Sequence, residues 1–89
     1  ISAGVVERDA KKILKMLVDR GLGEGDTMRN AMVRSNMRAL GLEGIALDAA
    51  VSFGGEREWI GDGPPGSIQL TPKGHSTSTS MNGWGFVQH

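Results

Sequence analysis

The sequence predicts a small α+β domain in which three helices are followed by a two-stranded β-hairpin and a flexible tail. Apolar residues recur at helical spacing in three successive segments that end near Phe53. After Phe53 the helical spacing stops, and two short strand-like runs flank a loop rich in Gly and Pro at residues 61–66. With 89 residues and no cysteine, the chain has room for one domain with a thin core and has no thiol for a disulfide or a thiolate metal site.

The first helix is predicted over about residues 5–20. Its apolar stripe recurs at i, i+4, i+7 and i+8 and consists of Val6, Ala10, Ile13, Leu14, Leu17 and Val18. We expect Gly21 to end this helix in the left-handed conformation, because glycine adopts it without a steric penalty. Leu22 would then pack back on Leu17, as in a Schellman motif.

A second helix is predicted to begin at Asp26 or Thr27, whose side chain would accept a hydrogen bond from the first turn, and to close at Gly41. A third helix follows from a new set of helically spaced apolar residues, which are Leu42, Ala46, Ala49, Ala50 and Phe53. We expect the pair Gly54-Gly55 to stop this third helix.

The hairpin strands are predicted at residues 57–60 and 67–71. In the second strand Ile68 and Leu70 alternate onto one face, which favours burial against the helices. The sequence therefore predicts one core that contains Leu14, Leu17, Ala46, Phe53, Ile68 and Leu70.

The end of the hairpin, Ile68-Gln69-Leu70-Thr71-Pro72-Lys73-Gly74, resembles the LTPKG ending on the last strand of many winged-helix (winged helix-turn-helix) domains. The passage from Leu47, Ala50, Val51 and Phe53 through Gly54-Gly55 to Trp59-Ile60 is similar to the third helix of that family entering its first wing strand. The resemblance covers about residues 6–74. It implies a winged-helix domain at residues 1–74, a fold that serves DNA binding, RNA binding and protein docking alike.

Charge divides the chain into two halves. Residues 1–41 carry eight Lys/Arg against five Asp/Glu, a net charge of +3, whereas residues 42–63 carry five acids against Arg57 alone, a net charge of −4. The resemblance implies that the third helix enters the DNA major groove, but this helix offers Glu43, Asp48 and Ser52, and acidic groups repel phosphates. The alternative nucleic-acid surface lies on the first two helices and consists of Lys11, Lys12, Lys15, Arg29, Arg34 and Arg38. The alternative interpretation of these six basic residues is a solvent-exposed helical face without a binding role.

Residues 75–89 are predicted to form a Ser/Thr-rich linker and an aromatic tail, with residues 75–80 mobile. Trp84 and Phe86 follow the linker without a regular period, so we expect them to dock on this domain, on a second copy of the chain or on a protein partner. Trp59 is a third candidate for partner docking, with the lid of a thin core as the alternative interpretation.

Three function classes follow. The first is a nucleic-acid-binding module of a transcriptional regulator with double-stranded DNA as its partner, the alternative is a protein-docking module without DNA binding, and the third is a fragment of an enzyme. We expect no enzyme, since no nucleophile, base and orienting group can be assembled from the sequence. We also expect no cofactor and no metal, since His75 and His89 are the only imidazoles and do not have zinc-ligand spacing.

The location of the chain is predicted to be intracellular, in the cytoplasm, nucleoid or nucleus, because cysteine is absent and no signal peptide or membrane segment is recognisable. No membrane partner is expected. Because the chain begins with Ile1 rather than Met, we expect it to be a piece of a larger protein.

Overall fold

The computed structural model describes the backbone of residues 3–87 and the side chains of residues 3–79. Within this range the chain forms four helices and a three-stranded antiparallel sheet, which confirms the predicted α+β class. The elements in chain order are α1 (Ala3–Asp19), β1 (Thr27–Arg29), α2 (Asn30–Ala39), α3 (Gly44–Glu56), β2 (Ile60–Asp62), β3 (Ser67–Leu70) and α4 (Pro72–Val87).

The end of α1 has the predicted geometry. Gly21 has φ 91°, its N–H donates to the carbonyl of Val18 at 2.9 Å, and the N–H of Leu22 donates to the carbonyl of Leu17 at 3.1 Å. These two bonds are those of a Schellman motif. The end of α2 repeats them at Gly41, which has φ 85°, so the prediction that Gly41 closes the second helix is also confirmed.

The predicted start of the second helix at Asp26 or Thr27 is wrong. The Asp26 carboxylate instead accepts a hydrogen bond from the N–H of Gly23 at 2.7 Å, and Thr27 begins strand β1. The helix α2 starts at Asn30, whose N–H donates to the carbonyl of Gly66 in the hairpin loop at 2.8 Å. A backbone carbonyl of the hairpin loop therefore satisfies the first N–H of α2, and no side chain caps this helix.

The predicted stop at Gly54-Gly55 is also wrong, because α3 continues through both glycines to Glu56. Gly54 lies against the side chain of Ile60, where an added Cβ would be 2.8 Å from Cδ1. Two residues after the helix, Glu58 has φ 63° and turns the chain away, and the N–H of Trp59 donates to the carbonyl of Gly54 at 2.9 Å. This helix end uses residues that were predicted to be strand, so β2 starts only at Ile60.

The sheet has the order β1-β3-β2, with β3 at its centre. Ile68 of β3 pairs with Met28 of β1 on one side and with Asp62 of β2 on the other. The prediction of a two-stranded sheet was therefore one strand short. The first hairpin strand is shifted from the predicted residues 57–60, and the second agrees with the prediction to within one residue.

One core joins the helices to the sheet. Leu14, Leu17 and Leu70 are fully buried and Ile68 is 9% exposed, and Ala46 and Phe53 pack against this cluster as partly buried side chains. The predicted core is confirmed. Among the helices in the described part of the chain, none combines the length and apolar character that a membrane crossing needs.

The prediction of a mobile linker over residues 75–80 is wrong, because these residues lie within α4. The hydroxyl of Thr71 accepts a hydrogen bond from the N–H of Gly74 at 2.9 Å and thereby caps the helix. Pro72 is the first helical residue, a position where the missing N–H of proline costs nothing. The helix packs against α1, and the domain limit after residue 74 stays a prediction.

Candidate functional site

The exposed face of α3 has no cation. Within Gly44–Glu56 the only charged residues are Asp48 and Glu56, both of them exposed. Ile45, Asp48 and Ser52 are exposed at i, i+3 and i+7, so they lie on one face of the helix. This face therefore offers the Asp48 carboxylate, the Ser52 hydroxyl and the large apolar side chain of Ile45 to whatever approaches it.

A groove of about 460 Å³ lies between α2, α3 and the β2–β3 hairpin. Its apolar lining comes from Val33, Leu47, Val51 and Ile68, all of which are buried or partly buried. Its polar lining comes from every one of the three elements and consists of Asn30, Arg34, Asp48, Ser52, Asp62 and Ser67. The fold thus places an apolar floor under a polar rim.

The charged groups on the rim are not neutralised by one another. Asp48 and Asp62 form no salt bridge with any cation in the described residues, and Arg34, which lines the same groove, lies more than 4.0 Å from both carboxylates. Arg57 does not line the groove, and its guanidinium lies 4.8 Å from the centre of the Phe53 ring. The groove therefore has the carboxylates of Asp48 and Asp62 and the guanidinium of Arg34 available for an outside partner.

The turn between α2 and α3 exposes two large apolar side chains, since Leu40 is 58% and Ile45 is 79% exposed. Across the same turn Arg38 and Glu43 form an exposed salt bridge at 3.6 Å. Exposed ion pairs of this kind contribute little to stability. Leu40 lies beside α1, where it lines a small pocket with Lys12 and Lys15, and Ile45 lies on the exposed face of α3 that carries Asp48.

The lysines of α1 are all paired with acids of the same helix. Lys11 lies 3.2 Å from Glu7 and Lys15 lies 2.9 Å from Asp19, both at i, i+4 spacing. Lys12 lies 4.0 Å from the mostly buried carboxylate of Asp9. A pair of opposite charges has little net attraction for a phosphate, so this surface is less basic than its lysine content suggests.

The six predicted nucleic-acid contacts do not share one concavity. Lys12 and Lys15 line a small pocket of about 280 Å³ together with Leu40 at the end of α2. Arg34 instead lines the groove beside α3. Arg29 is exposed at the end of β1, and like Arg34 it forms no salt bridge among the described residues.

The three predicted docking aromatics have different positions. Trp59 is only 6% exposed and its ring lies 5.7 Å from that of Phe53, so its side chain covers the core and is not available on the surface. Trp84 and Phe86 belong to α4, but their side chains lie outside the part of the chain whose side chains are described. Their docking stays a prediction.

The described residues contain no group of three or more His, Asp or Glu side chains arranged to hold a metal ion. His75 lies in α4, and His89 is outside the described residues.

The sequence analysis named Asp48 and Ser52 only as side chains that the third helix offers in place of DNA-reading residues, and it did not bring them together with Asn30, Asp62 and Ser67. The net charge of −4 over residues 42–63 was the available signal. What it could not supply was the strand β1, which pairs with β3 and places the start of α2 beside the hairpin.

Comparison of the chain with protein-family descriptions, with curated proteins and with solved structures found no match.

Proposed function

We propose that this chain is a winged-helix module that docks onto a protein partner through the exposed face of α3 and the adjacent hairpin. The order of elements supports the winged-helix assignment, since a short strand precedes the second helix and a hairpin follows the third. The resemblance at Leu70-Thr71-Pro72-Lys73-Gly74 supports it independently, because these residues form the junction between β3 and α4.

The observation that carries the docking function is the chemistry of α3. A helix that reads DNA needs donors such as Arg, Lys, Asn or Gln and needs cations that neutralise phosphates. This helix has Asp48 and Glu56 as its charged residues, and the loop that would be the wing tip, residues 63–66, consists of Gly and Pro only. The exposed apolar side chain of Ile45 suits a protein surface instead.

The test places a photo-crosslinking amino acid at position 45, which is 79% exposed and therefore tolerates replacement. A matched variant carries the same group at Glu24, an exposed position in the turn after α1. After irradiation in cells, each product is treated with nuclease and, separately, with protease. We expect a product that forms from position 45, does not form from position 24, is digested by protease and resists nuclease. A nuclease-sensitive product from position 45 contradicts the proposal.

Nucleic-acid binding is the second candidate, and the specific observation that favours it is the absence of an acidic partner for Arg29 and Arg34 among the described residues. A titration with duplex DNA at two salt concentrations tests it, because phosphate contacts make the affinity fall as salt rises. If the chain binds DNA, the double variant Arg34→Ala/Arg38→Ala binds it more weakly. The slope of log affinity against log salt concentration is then smaller by about one unit per lost phosphate contact. An affinity for DNA that changes neither with the salt concentration nor in this double variant contradicts nucleic-acid binding.

A further inference from the structure

We propose that the groove between α2, α3 and the β2–β3 hairpin binds a short peptide segment that has both apolar and basic side chains. This inference rests on the proposed docking function and names the chemistry of the partner. The groove has a volume of about 460 Å³, within the range of about 300–1,000 Å³ that is typical of ligand sites. A space of this size accepts a few side chains of a peptide segment rather than the surface of a folded domain.

The apolar floor explains why the segment needs apolar side chains. Val33, Leu47 and Ile68 form part of the lining and also belong to the hydrophobic core. They are held in place from below, so the floor is already formed before a partner arrives. Burying an apolar side chain on such a floor is favourable by about 25 cal/mol per Å² of area removed from water.

Charge complementarity explains why the segment is basic. The carboxylates of Asp48 and Asp62 stand on two different elements that border the groove, and neither forms a salt bridge within the described residues. Of the other acids in residues 42–63, Glu43 pairs with Arg38 and Glu58 with Lys73. Glu56 also forms no salt bridge among the described residues, but it does not line the groove. The two rim carboxylates are therefore the acceptors for a lysine or arginine of the partner.

The position of Arg34 orients the segment. Arg34 comes from α2 and lines the same groove as the two carboxylates, which come from α3 and β2. A cation of the partner is repelled by Arg34 and attracted by Asp48 and Asp62, so it lies toward the α3–hairpin side. Polar side chains of Asn30 and Ser67 on the rim provide further hydrogen-bonding groups for the peptide backbone.

The experiment measures fluorescence anisotropy of three labelled nine-residue peptides with the full chain. The first contains two leucines and two lysines in a Gly/Ser background, the second has glutamates in place of the lysines, and the third has serines in place of the leucines. We expect the Leu/Lys peptide to bind and both altered peptides to bind more weakly. We expect its affinity to fall about three- to tenfold in the double variant Asp48→Asn/Asp62→Asn, as for two exposed charge pairs, and to remain unchanged in the matched variant Glu24→Gln.

Three outcomes overturn the inference. The first is equal binding of the Leu/Lys and Leu/Glu peptides, and the second is an equal effect of Glu24→Gln and Asp48→Asn/Asp62→Asn. The third is self-association of the chain that is lost in the double variant, which makes a second copy the occupant of the groove. A protein product from the crosslinker at position 45, combined with any of these, leaves the docking function standing and removes only the groove assignment. A nuclease-sensitive product removes both.

Discussion

The α-carbon of Gly74 lies directly against the main-chain carbonyl of Trp59, so that a Cβ added to Gly74 would overlap the carbonyl oxygen and lie 2.9 Å from the carbonyl carbon. The same carbonyl accepts a hydrogen bond from the N–H of Thr71 at 3.2 Å. The single proton of the Thr71 hydroxyl is shared between this carbonyl, at 2.9 Å, and the carbonyl of Glu58, at 2.6 Å. Because these contacts hold the carbonyl of Trp59 in place, it cannot withdraw from a larger residue at position 74. The glycine that closes the LTPKG segment is therefore required by the approach of α4 to the end of α3.

Replacing Gly74 with alanine is expected to destabilise the domain by about 1–3 kcal/mol or more, since the added methyl group must displace hydrogen-bonded backbone. Gly55→Ala is the matched control, because a Cβ at this exposed α3 position meets nothing within 4 Å. That control is expected to stabilise by about 0.5–1 kcal/mol, the usual gain for alanine over glycine inside a helix. Urea unfolding followed by circular dichroism measures both. Equal stability of the two variants contradicts the packing of Gly74 against Trp59.

The hydroxyl of Ser78 is fully buried and has no hydrogen-bond partner among the described residues. An unpartnered buried hydroxyl costs roughly 1–3 kcal/mol. Ser78→Ala is therefore expected to raise the free energy of unfolding by about 1–2 kcal/mol more than Ser76→Ala, an exposed change in the same helix that reports helix propensity alone. Equal effects of the two substitutions in urea unfolding would mean that Ser78 is hydrated or exposed in solution.

Local signals were sufficient for α1 and for its end. The helical spacing from Val6 to Val18 and the pair Gly21-Leu22 lie within one short stretch, and the hydrogen bonds of the Schellman motif join residues of this stretch only. The strand β1 has no such signal, because three residues are too few to show alternation. It exists through pairing with β3, in which Thr27 lies opposite Gln69, a contact between positions far apart in the sequence.

The helix α4 was missed for a different reason. Its first half is rich in Ser and Thr, which have low helix propensity, and Thr77 and Thr79 even direct their hydroxyls to the carbonyls of Lys73 and His75 at 2.9 Å. A start signal was nevertheless present, since a threonine followed by a proline is typical of a helix N-cap and its first residue. Of the two elements that the sequence analysis missed, the groove requires β1, which places the start of α2 beside the hairpin. It does not require α4, none of whose described residues lines it.

Glu58 is the one non-glycine residue with positive φ in the described chain, at 63°, and it occupies the place that Gly21 and Gly41 take at the ends of α1 and α2. A residue with a Cβ is destabilised by about 1–2 kcal/mol in this conformation. Glycine avoids this steric cost, but it loses more conformational entropy on folding, which offsets part of the gain. Glu58→Gly is therefore expected to stabilise by about 0.5–1 kcal/mol in urea unfolding.

The control Glu58→Ala keeps the Cβ and removes the carboxylate, which lies 3.9 Å from the ammonium group of Lys73 in an exposed pair. Such pairs contribute little, so this variant is expected to stay within about 0.5 kcal/mol of the unaltered chain. If alanine and glycine change the stability equally, charge rather than backbone conformation is responsible, and the strain assigned to Glu58 is absent.

Leu17 connects the end of α1 to the core, since its side chain is fully buried and its carbonyl accepts the Schellman hydrogen bond from Leu22. Leu17→Ala keeps that backbone bond but leaves a cavity, so we expect a loss of about 2–5 kcal/mol. A domain of this size has only about 5–15 kcal/mol of stability, and the variant is expected to unfold at a much lower urea concentration. Leu40→Ala, at a position that is 58% exposed, is the matched truncation and is expected to change stability by less than about 0.5 kcal/mol, as surface substitutions usually do. The helix α1 packs on α3, and a similarly small effect at Leu17 would place its side chain outside the core and contradict that packing.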